Sequence, residues 1–195
     1  MKRLVDILLA FIGIIILLPF FFLFAILIAV DSGFPVFYSQ QRVGKNEIDF
    51  SLLKFRTMKK DSDKKGLLTV GEKDFRITRI GFFFRKYKID ELPQLFNVLI
   101  GDMSLVGPRP EVRKYVEMYN EEQKKVLSVK PGITDYASIE YFNENSILAK
   151  SENPEKLYIN EIMPYKLKLN LKYIYKQSIF TDMKIILKTI GKIFC

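Results

Sequence analysis

The chain is 195 residues long, room for one compact domain plus a membrane element, and it contains no histidine, which removes His-based acid–base catalysis, Ser-His-Asp triads and His-ligated metals. Its single cysteine, Cys195, excludes an internal disulfide and a thiolate metal site, so any metal is held by oxygen, as Mg²⁺ or Mn²⁺. The 31 Lys and Arg against 22 Asp and Glu leave a net charge of +9, which suits anionic headgroups or polyphosphate substrates; nucleic acid is the weaker choice, since no helix-turn-helix, zinc-finger or RNP signature is present.

Residues 7–30 are almost wholly apolar. As a helix this run reaches ~36 Å, enough to cross a bilayer. It is too long for a signal peptide, and no small-residue cleavage site follows Val30. Pro19 lies near its middle, where it removes a helical hydrogen bond and predicts a kink or break. Lys2 and Arg3 flank the run on one side, and Arg42, Lys45, Lys54, Arg56, Lys59 and Lys60 follow on the other. A spanning helix would put one basic group outside, against the positive-inside tendency. The pattern therefore predicts a re-entrant hairpin broken at Pro19, with both flanks on the cytoplasmic side.

Residues 36–56 predict a β-hairpin: Val36 to Arg42 is rich in β-formers, Gly44-Lys45-Asn46 supplies the turn, and Ile48 to Arg56 returns. Continued alternation would put Lys54 and Arg56 on one face, either as an ion-binding face or as a solvated edge. The polar stretch 59–74, with Gly66 and Gly71, reads as a loop that is either a lid or plainly solvent-exposed. Phe82-Phe83-Phe84 suits either lipid contact or a core corner.

The densest chemistry lies in Arg85 to Pro110. Asp90 and Glu91 stand between basic residues, and Pro93 marks the first turn of a helix continuing over Gln94 to Ile100. A carboxylate can ligate Mg²⁺ or attack phosphorus, and guanidinium groups neutralise phosphate oxygens. Acidic residues also favour helix starts for capping reasons alone, and Gly107-Pro108-Arg109-Pro110 can be an ordinary stiff turn. Downstream, 111–127 predicts a charged helix, and the chain is again helical and basic from Asn153. The last stretch is amphipathic: Ile179, Met183, Ile186, Leu187, Ile190 and Ile193 recur at helical spacing, with Lys184, Lys188 and Lys192 on another face. That pattern fits a helix in a membrane interface, and equally one packed on a soluble core.

Taken together, Gln41-Arg42-Val43-Gly44, Lys54-Phe55-Arg56-Thr57-Met58, Arg76-Ile77-Thr78-Arg79-Ile80-Gly81, the Asp90 to Pro110 block and Lys130-Pro131-Gly132-Ile133-Thr134 resemble the small monotopic phosphoglycosyl transferases, also called bacterial sugar transferases. The resemblance is strong over residues 1–135 and weaker beyond. It implies an α+β, helix-dominated fold: a re-entrant membrane anchor over 1–32, then a catalytic domain over 33–195 on the cytoplasmic face of the bacterial plasma membrane, with a short β-hairpin and amphipathic interfacial helices. It implies transfer of a phosphosugar from a UDP-sugar to polyprenol (undecaprenyl) phosphate, with release of UMP, as the first membrane-bound step of a surface glycan. Asp90 would be the nucleophile and would form a phosphosugar-aspartate. Asp90 and Glu91 would hold Mg²⁺, or Mn²⁺. Arg85 and Arg109 would contact phosphate, with Lys54 and Arg56 as further candidates.

Three positions depart from the family pattern. Leu18 precedes Pro19 where many members have serine, Lys130 stands where arginine is common, and Thr134-Asp135-Tyr136-Ala137-Ser138 replaces a segment resembling Thr-Gly-Trp-Ala-Gln. Two other classes fit the composition: a non-enzymatic membrane-anchored scaffold and a basic nucleic-acid-binding protein. The sequence assigns neither the donor sugar nor an oligomeric state.

Overall fold

The computed structural model describes residues 1–62, 68–71 and 74–194. Gly66 and much of the 59–74 loop lie outside the described residues, as does Cys195.

The apolar run forms one helix, α1 (Lys2–Ser32), with Pro19 inside it. Of the kink or break expected at Pro19, the break is not present: the helix runs through it. An interior proline removes one N–H bond and crowds the carbonyl of the preceding turn, and packing before and after it opposes a break: Gly13 lies against Leu95, and the Phe21 ring is 5.8 Å from that of Phe96. Asp6, Ala10, Phe21 and Ile28 are buried along the packed face, while Leu8, Phe11, Ile15, Phe22, Ile26 and their neighbours are exposed.

Both ends of α1 are tied to the body of the protein. At the start, Lys2 Nζ donates to the Val106 carbonyl at 3.0 Å and pairs with Asp182. Arg3 donates to the Val98 and Leu99 carbonyls at 2.5 and 3.0 Å, and Asp6 accepts from the Ser104 hydroxyl at 2.8 Å. At the far end, Asp31 accepts from the Ile80 N–H at 3.2 Å, and Arg56 donates to the Ser32 carbonyl at 2.8 Å.

The predicted hairpin forms: β1 (Phe37–Val43) pairs antiparallel with β2 (Asp49–Phe55), joined by a helical turn over Lys45–Glu47. Next come α2 (Arg79–Lys86), a 3₁₀ turn over Ile89–Glu91, and α3 (Gln94–Ile100); the helix expected to begin at Asp90 and Glu91 ends at Ile100 as expected but starts later, with the two acids in the turn before it. Phe84 is buried against Phe24 and Phe55, the core-corner reading, whereas Phe82 and Phe83 are exposed.

Two three-residue strands, β3 (Ser104–Val106) and β4 (Gly132–Thr134), pair in parallel and place the Gly107–Pro110 loop beside Pro131. The two backbones approach so closely that a Cβ on Gly132 would lie 2.0 Å from the Gly107 nitrogen. Between these strands the chain is not one helix over 111–127. It divides into α4 (Arg113–Val116), α5 (Glu121–Lys124) and a 3₁₀ turn, because Asn120 adopts an extended backbone and starts a new helix with a capping box to Gln123.

The remainder is helical: α6 (Tyr136–Glu140), α7 (Glu144–Leu148), α8 (Pro154–Leu157), a π-helical turn over Tyr158–Ile162, α9 (Met163–Tyr175) and α10 (Ile179–Phe194). Tyr115, Val116, Tyr158, Ile162 and Leu167 form the main core here. α10 buries Asp182 and Ile185 and leaves Phe180, Leu187 and Ile190 exposed.

Candidate active site

The 3₁₀ turn carrying Asp90 and Glu91 stands between α2 and α3, and both carboxylates are buried. They line a cleft of about 660 Å³ bounded by the hairpin, this turn, the Arg109 loop and the 133–148 segment.

The two acids have different surroundings. Glu91 takes a two-point contact from Arg109, with Nη1 3.1 Å from Oε2 and Nη2 bonded to Oε1, and a further bond from Lys54 Nζ at 3.2 Å. Burial alone would raise its pKa, but the charges of Arg109 and Lys54 outweigh that and hold it well below the usual carboxylate range. Arg109 is correspondingly shifted upward by Glu91. Asp90 has no such partner. Burial pushes its carboxyl above the ordinary Asp range, the neighbouring charge of Lys54 opposes this, and that of Glu91 adds to it. Asp90 Oδ1 is buried and accepts no hydrogen bond.

Lys54, at the end of β2, is therefore part of the site rather than a solvated edge residue; burial lowers its pKa while Glu91 opposes the shift. Arg85, in the last turn of α2, is held by hydroxyls: Nε donates to Thr57 at 3.1 Å and Nη1 to Thr69 at 3.2 Å. Its charge acts on Asp90 without an ion pair to it. Arg56 goes elsewhere. It also lines the cleft, but its Nη2 is committed to the C-terminal end of α1, at Ser32 and Gly33. Its Nε and Nη1 are buried and unpartnered. Pro19, inside the apolar helix, does not line the cleft.

Asp135 supports the site, and the sequence reading gave it no role. It is fully buried, accepts from the Arg109 backbone N–H at 3.0 Å, and caps α6 by accepting from the Ser138 N–H at 2.5 Å. The signal for it is an Asp directly before a helical run, the usual N-cap arrangement. Behind the loop, Arg42 donates to the Pro110 carbonyl at 3.2 Å and stands 3.6 Å from Glu111.

Among the described residues, no three of His, Asp, Glu or Cys gather into a metal-binding group. Both Glu91 oxygens are hydrogen-bonded, whereas the Asp90 carboxylate is not, so of the two acids Asp90 is the one with oxygens uncommitted to protein groups, the donor type a hard cation takes. The arrangement is one unpaired, more basic carboxylate beside one whose ionised form is favoured, with Lys54, Arg85 and Arg109 around them. It suits nucleophilic attack on a polyphosphate.

Comparison with known proteins agrees with that chemistry. The family model described as bacterial sugar transferase matches residues 1–195. The chain is 38% identical over 195 residues to the UDP-N-acetylgalactosamine-undecaprenyl-phosphate N-acetylgalactosaminephosphotransferase of Aeromonas hydrophila, covering 98% of this chain and 43% of that protein. It is 34% identical over 197 residues to the UDP-glucose:undecaprenyl-phosphate glucose-1-phosphate transferase of Escherichia coli (strain K12), covering 100% of this chain and 40% of that protein. The sugar transferase EpsL of Bacillus subtilis (strain 168), named as uncharacterized, is 41% identical over 166 residues, with 85% of this chain and 73% of that protein covered. The chain thus spans less than half the length of the first two relatives and most of the third. It belongs to the bacterial sugar transferase family.

Proposed function

We propose that this protein transfers a sugar 1-phosphate from a UDP-sugar to polyprenol phosphate, the undecaprenyl form in its relatives' names, through a covalent intermediate on Asp90. The observation that carries the reading is the contrast between Asp90, buried with an unpartnered oxygen, and Glu91, locked by Arg109 and Lys54 in the same cleft.

In the first half-reaction an Asp90 carboxylate oxygen attacks the β-phosphorus of the donor. The new O–P bond forms as the bond from β-phosphorus to the bridging oxygen breaks, and UMP leaves with that electron pair. In the second, a phosphate oxygen of the polyprenol phosphate attacks the same phosphorus and returns Asp90 as carboxylate. The product is a polyprenol diphosphate sugar, the starting unit of a surface glycan. A raised pKa makes Asp90 the more basic acid of the two, and the Lys54 charge keeps its anion accessible. Glu91 stays ionised and fixes the Arg109 and Lys54 cations toward the phosphates. Mg²⁺, or Mn²⁺, held by Asp90 and donor oxygens would offset the diphosphate charge.

The acceptor is a lipid, which calls for a membrane-seated site. α1 offers a long exposed apolar face, and α10 adds Phe180, Met183, Leu187 and Ile190 with exposed lysines at 184, 188 and 192. The polar ends of α1 bind one and the same body, Lys2 and Arg3 at one end and Asp31 at the other. That supports a helix bent at Pro19 that enters and leaves through the cytoplasmic leaflet instead of spanning, with α10 lying in the interface.

The test is UMP release from a panel of UDP-sugars with polyprenol phosphate and Mg²⁺. Release with one or a few donors is expected. No release with any donor, against a relative that turns over under the same conditions, would refute the transferase reading.

A further inference from the structure

The turn that presents Asp90 is entered through a residue that the reaction scheme above does not use. Lys88 adopts φ 56 and ψ 22, a left-handed backbone that side chains other than glycine and asparagine rarely take. It follows α2 and its cap Tyr87, in the position where helices commonly stop on a left-handed glycine. Glycine would meet the backbone demand without strain. A lysine here places a cation on the cleft wall, two residues from Asp90.

Lys59, Lys60 and Lys88 line the cleft without a side-chain hydrogen bond or ion pair among the described residues, and of the three Lys88 is the one beside the catalytic turn, with its charge acting on both carboxylates. Arg109 and Lys54 are committed to Glu91, and Arg85 is held by Thr57 and Thr69. The Lys88 ammonium makes no hydrogen bond or ion pair among the described residues. It rests over the ring of Phe142, 5.2 Å from the centroid, and Phe142 lines the cleft too. The side chain thus runs from the catalytic turn to the 141–145 side of the cleft. Its charge acts on both carboxylates and favours the ionised forms of Asp90 and Glu91.

A nucleoside diphosphate sugar brings two phosphate groups to this cleft. The scheme already surrounds the attacked β-phosphorus with Asp90, Arg85, Arg109 and Lys54. The α-phosphate gains a negative charge as the bridging bond breaks, and a preplaced cation there acts where charge develops. We propose that the Lys88 ammonium pairs with the phosphate of the departing nucleotide, leaving the Phe142 ring to do so; this rests on the transferase reading above.

The test compares binding of UMP and of uridine, which lacks the phosphate, to wild type and to Lys88→Met, Lys88→Asn and Lys88→Arg variants in the presence of Mg²⁺. Methionine keeps the length without the charge, and asparagine tolerates the left-handed backbone, so a folding defect in one is checked by the other. Loss of a charged contact in a partly open cleft is expected to weaken UMP about tenfold in both neutral variants. Uridine binding should be unchanged, and Lys88→Arg should recover most of the UMP affinity. Unchanged UMP binding in Lys88→Met and Lys88→Asn overturns the assignment, as does an equal loss for UMP and uridine. A wild-type protein that neither binds UMP nor releases it from any UDP-sugar overturns the transferase reading with it. A wild type that does both while the variants match it overturns the role of Lys88 alone.

Discussion

Arg109 reaches Glu91 with two nitrogens at once, Nη1 at 3.1 Å from Oε2 and Nη2 on Oε1, while its own backbone N–H is held by Asp135 at 3.0 Å. The residue is therefore held at both ends, its guanidinium by a carboxylate in the cleft and its backbone by a buried helix cap. Arg109→Ala is expected to lower UMP release at least a hundredfold and to destabilise the fold by about 1–3 kcal/mol, since Glu91 loses its main partner. Arg109→Lys keeps the charge but only one point of contact, so its loss should be smaller. Steady-state rates with thermal unfolding separate the two effects; equal, wild-type rates in both variants would reduce Arg109 to a turn residue.

Asp90 and Glu91 should respond to pH in opposite senses. The folded-state pKa of Asp90 is raised, so ionising it costs the fold stability at neutral pH, and that cost vanishes below its ordinary pKa of 3.8. Asp90→Asn is expected to be inactive yet more stable at pH 7, with the gain fading toward pH 4. The folded-state pKa of Glu91 is depressed, so its ionised form contributes stability that is present above its ordinary value of 4.5 and is lost as pH falls through the folded value. Glu91→Gln should therefore lower Tm at pH 7 and lower it less in acid. Tm shifts of the same sign for both variants at pH 7 would contradict the electrostatic assignment.

Lys54 is the first neighbouring charge that favours the Asp90 anion. Replacing it with methionine is expected to move the acid limb of UMP release to higher pH, because more hydroxide is then needed to ionise Asp90. A rate profile from pH 4.5 to 8 reads this directly. An unmoved acid limb would place Lys54 in the service of Glu91 only.

Gly132 touches the backbone of Gly107 so closely that an added Cβ would stand 2.0 Å from a main-chain nitrogen, which cannot swing away as a side chain would. Gly132→Ala is expected to destabilise by about 2 kcal/mol or more and to displace the Arg109 loop. Activity measured well below the variant's Tm should still be reduced. Full activity there would separate the loop from the site.

If α1 enters and leaves through one leaflet, residues 2 and 195 face the cytoplasm together. Cys195, the single thiol, should resist an impermeant maleimide in intact cells and react after permeabilisation. A cysteine at position 2 in a Cys195→Ser background should do the same. Labelling of one site but not the other in intact cells would indicate a spanning helix.

Much of the site was legible because its parts are local in sequence. The Asp90-Glu91-Leu92-Pro93 run marks the start of local helical structure, and the helix over Gln94–Ile100 follows it, although the two acids form a separate 3₁₀ turn. The hairpin followed from β-formers around a turn. What escaped depends on distant partners. β3 and β4 are three residues each and pair across 28 positions, too short for a periodic signal and too far apart for a turn signal. Lys54 and Arg56 read alike as hairpin cations, yet one meets Glu91 and the other the end of α1, a difference set by which element packs beside each. The charged 111–127 stretch hid its break because Asn120 looks like any polar helix residue until its capping box with Gln123 is seen. Pro19 marked a break that packing against Leu95 and Phe96 holds as one helix.

The central claim is that Asp90 carries the phosphosugar, and intact-protein and peptide mass spectrometry test it most directly. Protein incubated with its UDP-sugar and Mg²⁺, without polyprenol phosphate, should gain the mass of one phosphosugar on the peptide containing Asp90, lose it when polyprenol phosphate is added, and gain nothing as Asp90→Asn. An adduct on another residue, or wild-type turnover by Asp90→Asn, would contradict the account.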